Sequence, residues 1–309
     1  MAATDVIIVG AGPAGLTAGL YASRSGLATT IYERGLPGGL AASAALIENY
    51  PGFPEGISGM DLGERMHEQA KKFGAKIVSE SVDRVRKDGN RILVSVKGED
   101  IAARSVIIAA GSTPKSIGVP GERSLTGKGV SYCATCDGPL YKDALIAVIG
   151  GGDSALQEAI FLAKFGSKVT VIHRRDELRA ASVLQKEVSD NPKIELALNK
   201  NVKSIEGDSE VKGVLLEDKK THAEEMIAVD GVFIYVGLNP NVAMLGPEFE
   251  RGKSGFLVTD CNLVTSVAGV LAAGDVREKE LRQISTAVGE GAIAAMSAYA
   301  YLESLDKQA

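Results

Sequence analysis

An α/β protein with two nucleotide-binding units is predicted by three observations. Two stretches, opening at Val6 and at Leu145, each read as buried strand, glycine-rich loop, helix and second strand. The two second strands end in opposite chemistry, acidic in one unit and basic in the other. At 309 residues the chain exceeds one typical core, so two domains are expected.

The first strand is Val6-Ile7-Ile8-Val9, the apolar, β-branched run of a buried parallel strand. It leads into Gly10-Ala11-Gly12-Pro13-Ala14-Gly15, followed by a helical stretch from Leu16 to Ser25 and a strand from Ala28 to Tyr32 that ends at Glu33. Gly10 permits the tight turn, Gly12 lets backbone approach a pyrophosphate, and Gly15 lets helix pack on strand. A helix N-terminus carries unpaired N–H groups suited to phosphate. Glu33 stands where an acid accepts hydrogen bonds from a ribose diol.

The second unit repeats the pattern. Strand Leu145–Ile149 enters Gly150-Gly151-Gly152-Asp153-Ser154-Ala155, with Ala155 at the third small position. A helix is expected from Ala155 to Phe165 and a strand from Lys168 to Ile172. His173-Arg174-Arg175-Asp176 and then Arg179 stand where the first unit has its acid. An acid there would repel a 2′-phosphate, whereas guanidinium groups bind one through charge-assisted, often bidentate bonds. The expected ligand is NADPH rather than NADH. The first unit's acid suits the unphosphorylated ribose of FAD or NAD.

Between the units lies Cys133-Ala134-Thr135-Cys136, followed by Asp137-Gly138. A metal site needs more ligands than one such pair. Cys261, His67, His173 and His222 are the other candidates, and none lies at metal-site spacing. An inert disulfide is disfavoured in a chain with cytosolic character and few cysteines. A two-electron redox pair is the favoured reading. Nicotinamide gives up hydride and does not readily reduce a disulfide directly, so a flavin is expected between them. Cys261 reads as a passive thiol.

Bulk properties narrow the class. A net charge of -5 argues against nucleic acid as partner, which would call for a basic face. No apolar run approaches bilayer-spanning length. A strand pattern begins by Asp5, which leaves no room for a targeting segment, and a cytoplasmic enzyme is expected.

Along essentially its whole length the chain resembles the low-molecular-weight thioredoxin reductases. The resemblance rests on six blocks in order: Gly10–Gly15, Glu48-Asn49-Tyr50-Pro51-Gly52, Cys133–Gly138, Gly150–Ala155, His173–Arg179 and Gly269–Asp275, the last followed by Arg282-Gln283. It implies FAD on the first unit and NADPH on the second, with thioredoxin or a thioredoxin-like disulfide protein as electron acceptor. It places Gly274, Asp275 and the Arg282-Gln283-Ile284 turn at FAD, together with the Gly38-Gly39-Leu40 loop and Asn49. It makes Cys136 the flavin-proximal thiol and Cys133 the thiol that attacks the protein substrate. Asp137 is the expected acid/base. A homodimer is the family's habit. The sequence supports part of this independently: Gly269–Ala273 reads as a strand ending at an acid, and Ile284–Leu302 as a small-residue-rich helix.

Two positions depart from the family pattern. Leu40 stands where glutamine is usual, which removes one side-chain contact to flavin. Pro139-Leu140 stand where two phenylalanines are common, which changes the surface offered to the protein partner. Rival readings are a reductase of a glutaredoxin-like protein or a peroxiredoxin component, a ferredoxin-fed flavin reductase, and a redox-sensing flavoprotein without catalysis. The intact second glycine loop and its arginines disfavour ferredoxin.

The expected fold is therefore α/β with two Rossmann-like domains, the NADPH domain inserted into a discontinuous FAD domain. The expected bounds are 1–114 with 241–309 for FAD and 115–240 for NADPH and the dithiol. Glycine and proline mark both crossings, Gly111-Ser112-Thr113-Pro114 and Gly237-Leu238-Asn239-Pro240. With the dithiol on one domain and flavin on the other, an alternating rotation is expected between the two half-reactions.

Overall fold

The computed structural model describes residues 4–44, 46–89 and 91–307. The extreme ends of the expected outer domain, residues 1–3 and 308–309, lie outside the described residues. The chain divides into two compact units. One is Met1–Thr113 with Asn239–Ala309, and the other is the inserted Pro114–Leu238. The short strands Ser112–Pro114 and Leu238–Pro240 at the two crossings pair with each other.

The outer unit is built on a seven-stranded sheet. Its parallel part runs in the order Lys76–Val78, Thr29–Tyr32, Thr4–Val9, Glu99–Ile108. The second half of Glu99–Ile108 pairs with Val270–Ala272 in parallel. Its first half pairs with Arg91–Val96 in an antiparallel ladder that continues to Arg84–Asp88. Val6, Ile7 and Ile8 are fully buried, as a strand covered on both faces requires. One face is covered by helices Pro13–Arg24 and Ile284–Asp306, packed over Leu16, Ile31, Ala294 and Ala298. Those two helices approach closely because a Cβ at Gly291 would stand 2.3 Å from the Ala14 carbonyl oxygen.

The inserted unit carries a five-stranded parallel sheet in the order Ile194–Leu198, Lys168–His173, Leu145–Ile149, Gly231–Ile234, Val130–Ser131. A three-stranded antiparallel sheet, Lys200–Gly207, Val211–Asp218 and Glu224–Ala228, packs its Val214 and Leu216 against Ile149 and Ile172.

Helix bounds differ from the sequence reading at both glycine loops. The first helix starts at Pro13 rather than Leu16, and the second runs Asp153–Leu162 rather than Ala155–Phe165. Gly12 and Gly152 are themselves the N-caps, so each helix begins inside its glycine motif. Proline at the first helical position costs no hydrogen bond there. Beyond Leu162 the chain continues as turns in which Phe165 and Gly166 donate their N–H groups to the Leu162 carbonyl, and Lys193 Nζ donates to the carbonyls of Ala163 and Gly166.

Candidate functional site

The structure forms two glycine cradles and a Cys133–Cys136 disulfide. In the outer unit, Gly10 has φ of +104°, and a Cβ there would stand 2.5 Å from the Ala109 carbonyl oxygen. A Cβ at Gly15 would stand 1.8 Å from the Gly10 carbonyl oxygen. Only glycine allows helix Pro13–Arg24 to seat on the strand end. Gly38 and Gly39 have φ of +106° and +57°. Gly38 donates its N–H to the Ala11 carbonyl at 2.8 Å, and a Cβ on Gly39 would lie 3.1 Å from Gly12 Cα. The two glycine loops thus meet backbone to backbone. Leu40 is the second residue of the short Gly39–Ser43 turn, with 56% of its surface exposed.

Glu33 has each carboxylate oxygen on a main-chain donor: Ala11 N–H at 2.7 Å and Gly35 N–H at 2.8 Å. The acid therefore braces the first glycine loop as well as ending its strand.

The returning segment brings Gly274–Ile284 to the same end of the sheet. Gly274, with φ of +77°, follows strand Val270–Ala272 by one residue and would place a Cβ 2.9 Å from Ala14 Cβ. Burial pushes the Asp275 carboxyl up, and the charges of Lys279 and Arg282 oppose that. Its Oδ1 lies 3.4 Å from Lys279 Nζ, close enough for an ion pair, yet lacks a hydrogen bond of good geometry. Arg282 donates to the carbonyls of Lys279 and Arg277 at 2.9 and 3.1 Å and stacks 4.1 Å from the Phe256 ring centroid. Its Nε is buried without a protein acceptor. Gln283 caps the long helix in a reciprocal box with Thr286, and its side-chain oxygen takes Asn49 Nδ2 at 3.1 Å. Ile284 opens the helix and packs toward Ile47, Ile57 and Leu62.

Glu290, Arg277 and Lys279 escape the sequence reading. Glu290 accepts the Gly274 N–H at 2.6 Å and pairs with Arg277 at 2.9 Å and Lys279 at 3.2 Å. The only signal was an acid between two glycines in a helix of small residues.

In the inserted unit, a Cβ on Gly150 would stand 2.5 Å from the Tyr235 carbonyl oxygen and 2.7 Å from Ala155 Cβ. Gly152 faces open space, and Ser154 beside it is exposed. Asp153 accepts the Ala181 N–H at 2.7 Å, and Arg179 donates its N–H to the Gly151 carbonyl at 2.7 Å. The basic segment is thus folded back onto the glycine loop. Arg174, Arg175 and Arg179 have exposed side chains. His173 differs from them: its ring lies beneath Gly151, where a Cβ would stand 2.3 Å from Nδ1. Burial, then the arginine charges, pushes the imidazole pKa down, so it is neutral, and its Nε2 is buried without a protein partner.

Cys133 and Cys136 form a disulfide with Cα atoms 5.3 Å apart, and both are half-buried. Cys133 caps the single turn Ala134–Asp137. Ser131 Oγ accepts the Cys133 N–H at 3.0 Å and donates to Asp137 Oδ2 at 2.6 Å. Burial pushes the Asp137 carboxyl up, and the Ser131 bond opposes that. Ala134 donates its N–H to the Tyr235 hydroxyl at 2.5 Å. Pro139 and Leu140 follow as an exposed pair. Cys261 is a free, exposed thiol on the outer unit. Among the described residues no cluster of three or more His, Cys, Asp or Glu side chains could hold a metal, and no helix is long and apolar enough to cross a membrane.

Comparison with known proteins gives a consistent picture. Residues 4–291 match the family model "Pyridine nucleotide-disulphide oxidoreductase". The chain is 48% identical over 308 residues to the thioredoxin reductase of Bacillus subtilis, covering 98% of this chain and 96% of that protein. It is similar to the crystal structure of thioredoxin reductase from Streptococcus pyogenes, with a TM-score of 0.93 and 46% identity over 98% of this chain and 99% of that one. It is also similar to thioredoxin reductase from Giardia duodenalis, with a TM-score of 0.92 and 32% identity over 98% of this chain and 100% of that one.

Proposed function

The chain belongs to the pyridine nucleotide-disulphide oxidoreductase family, and from that membership we infer a thioredoxin reductase that uses NADPH, FAD and the Cys133–Cys136 disulfide in that order. The observation that carries this reading is the disulfide itself, half-buried on the same unit as a glycine loop flanked by three exposed arginines.

The cradle of the outer unit fits FAD on three counts. Asp275 Oδ1 and Arg282 Nε are buried polar atoms without hydrogen-bond partners in the protein, which a ligand with matching donors and acceptors would satisfy. Helix Pro13–Arg24 starts at the Gly12 N-cap, and the main-chain amides of a helix start suit a pyrophosphate. Glu33 retains lone pairs for a ribose diol beyond the two it gives to backbone. When bound, FAD supplies the relay chemistry, taking hydride from the nicotinamide and passing an electron pair to sulfur. On the inserted unit, Gly152 and the helix start at Asp153 suit a pyrophosphate, and Arg174, Arg175 and Arg179 suit a 2′-phosphate.

At the disulfide, reduction adds two electrons and two protons across the sulfur–sulfur bond and leaves two thiols. Asp137 follows Cys136 directly, and its raised carboxyl pKa lets it hold a proton for the departing thiolate. Ser131 fixes that carboxyl and the Cys133 amide together. Cys136 as the flavin-side sulfur and Cys133 as the sulfur that attacks thioredoxin rest on the family resemblance. Exchange with thioredoxin then requires a thiolate and an accessible sulfur.

The nicotinamide cradle and the dithiol lie on one unit and the FAD cradle on the other. The hydride donor and the disulfide acceptor are therefore presented to flavin in turn, by rotation about the Gly111–Pro114 and Gly237–Pro240 crossings. The reading extends to a cytoplasmic homodimer. Support for self-association comes from Ile293 and Met296, which are 47% and 46% exposed on the long helix and line a shallow apolar groove with Val264 and Ala300.

The test is an anaerobic absorbance assay of the purified flavoprotein with NADPH or NADH as donor. Thioredoxin, a glutaredoxin-like protein and a peroxiredoxin component serve as acceptors. Steady turnover with NADPH and thioredoxin is expected. A preference for NADH would overturn the arginine assignment, and turnover with another acceptor alone would replace thioredoxin.

A further inference from the structure

Tyr235 touches both functional features of the inserted unit. It follows strand Gly231–Ile234, and its N–H donates to the Ile149 carbonyl at 2.8 Å. Its own carbonyl oxygen lies against Gly150 so closely that a Cβ there would stand 2.5 Å away. Its hydroxyl accepts the Ala134 N–H at 2.5 Å. Ala134 lies between the two cysteines and has 0% of its surface exposed, so water does not replace that bond. A first-turn amide has no acceptor inside its own helix, and here the helix is one turn long. The tyrosine therefore supplies the partner that this amide would otherwise lack. Burial, then the charges of Glu158 and Asp137, raise the phenol's pKa, so it stays neutral.

We propose that Tyr235 is a positioning residue for the dithiol: its hydroxyl holds the Cys133–Cys136 turn in the disulfide form and so lowers the pair's reduction potential. The proposal rests on the reading of that pair as the redox centre. Reduction takes the sulfurs from bonded to non-bonded distance, and the turn carrying Ala134 widens. The amide–phenol bond belongs to the closed turn and weakens when it opens. Removing the hydroxyl leaves a buried N–H unpaired in the disulfide form and shifts the equilibrium toward the dithiol.

The test equilibrates the flavin-loaded Cys261→Ser protein in buffers of reduced and oxidised dithiothreitol. The reagent's dithiol gives two electrons and two protons to the pair and closes to its cyclic disulfide. Free thiols are then trapped by alkylation and counted by mass. Tyr235→Phe should move the equilibrium about tenfold toward the dithiol, which is about 30 mV for a two-electron couple. Ala134→Pro removes the donor instead. The extended backbone of Cys133, φ -143° and ψ 98°, suits a following proline at the first helical position. In the A134P background, Tyr235→Phe should shift nothing. An unchanged equilibrium in Y235F, or an equal shift in both backgrounds, would overturn the proposal. Hydrogen exchange of the unmodified protein gives an independent readout: the Ala134 amide should exchange at least tenfold faster in the reduced form, and equal protection in both forms would overturn it too. Failure of NADPH to reduce the wild-type pair would sink the reductase reading instead, while the dithiothreitol equilibrium still reports on Tyr235.

Discussion

The Glu33 carboxylate accepts the Ala11 N–H at 2.7 Å, which ties the end of one strand to the middle of the first glycine loop. Its other oxygen accepts the Gly35 N–H at 2.8 Å. A carboxylate accepts at both oxygens, whereas an amide accepts at one. Glu33→Gln must turn an NH2 group toward one of these backbone donors. A charged hydrogen bond is worth about 1.5–3 kcal/mol, so FAD affinity should fall on the order of tenfold to a hundredfold. Reconstitution of apoprotein followed by flavin fluorescence reads the change directly. Unaltered affinity would show that neither the loop brace nor a ribose contact of Glu33 contributes to flavin binding.

Arg174, Arg175 and Arg179 are exposed around the second glycine loop. Arg179 is also held there by its main-chain bond to the Gly151 carbonyl. Each arginine that pairs with a 2′-phosphate should cost about 1.5–3 kcal/mol on removal. Arg174→Ala and Arg175→Ala should each raise KM for NADPH by about tenfold or more and leave KM for NADH little changed. An equal rise for both coenzymes would mean that the arginines bind the shared pyrophosphate or only shape the loop.

Asp137 separates activity from stability. Burial raises its carboxyl pKa in the folded chain, so the folded state disfavours the ionised form. Its contribution to stability is greatest below the unfolded pKa and is lost as pH rises through the folded pKa. Asp137→Asn removes that titration and keeps an oxygen for the Ser131 hydroxyl. Relative to wild type, the variant should therefore gain thermal stability as pH rises across that interval. Reduction of thioredoxin should fall by about a hundredfold, the scale of a lost general acid/base. A variant that loses activity and stability together would instead mark Asp137 as structural.

Much of the site was legible because it depends on residues with few substitutes. Gly10 and Gly15 stand where a side chain would collide with backbone, so their spacing marks the turn without a structure. The clustered arginines declare their charge in sequence. Glu290 was not legible, since its partners Gly274, Arg277 and Lys279 are set by how the long helix packs on a preceding loop. Tyr235 was hidden for a similar reason: only the neighbouring strand order brings its hydroxyl to Ala134. The helix starts at Pro13 and Asp153 were misread because a glycine N-cap offers no polar side chain to mark the boundary.

Gly15 and Gly152 look alike in sequence and should respond differently to one added methyl group. At Gly15 a Cβ would stand 1.8 Å from the Gly10 carbonyl oxygen, which is main chain and cannot swing aside. Alanine's helical advantage over glycine is at most about 1 kcal/mol. Overpacking of this kind costs about 1–3 kcal/mol, and a fixed backbone obstacle puts Gly15→Ala at the upper end. The variant should show a lower Tm and substoichiometric flavin. At Gly152 nothing stands within 4 Å of the added carbon, and the backbone is extended at φ -103°. Gly152→Ala should therefore keep its Tm and its flavin. The methyl group would instead occupy the space over the helix N-terminus where the coenzyme's pyrophosphate must approach. KM for NADPH should rise at least tenfold while reduction of the Cys133–Cys136 disulfide by dithiothreitol is unaffected. A normal KM in this variant would show that the pyrophosphate does not pass over Gly152.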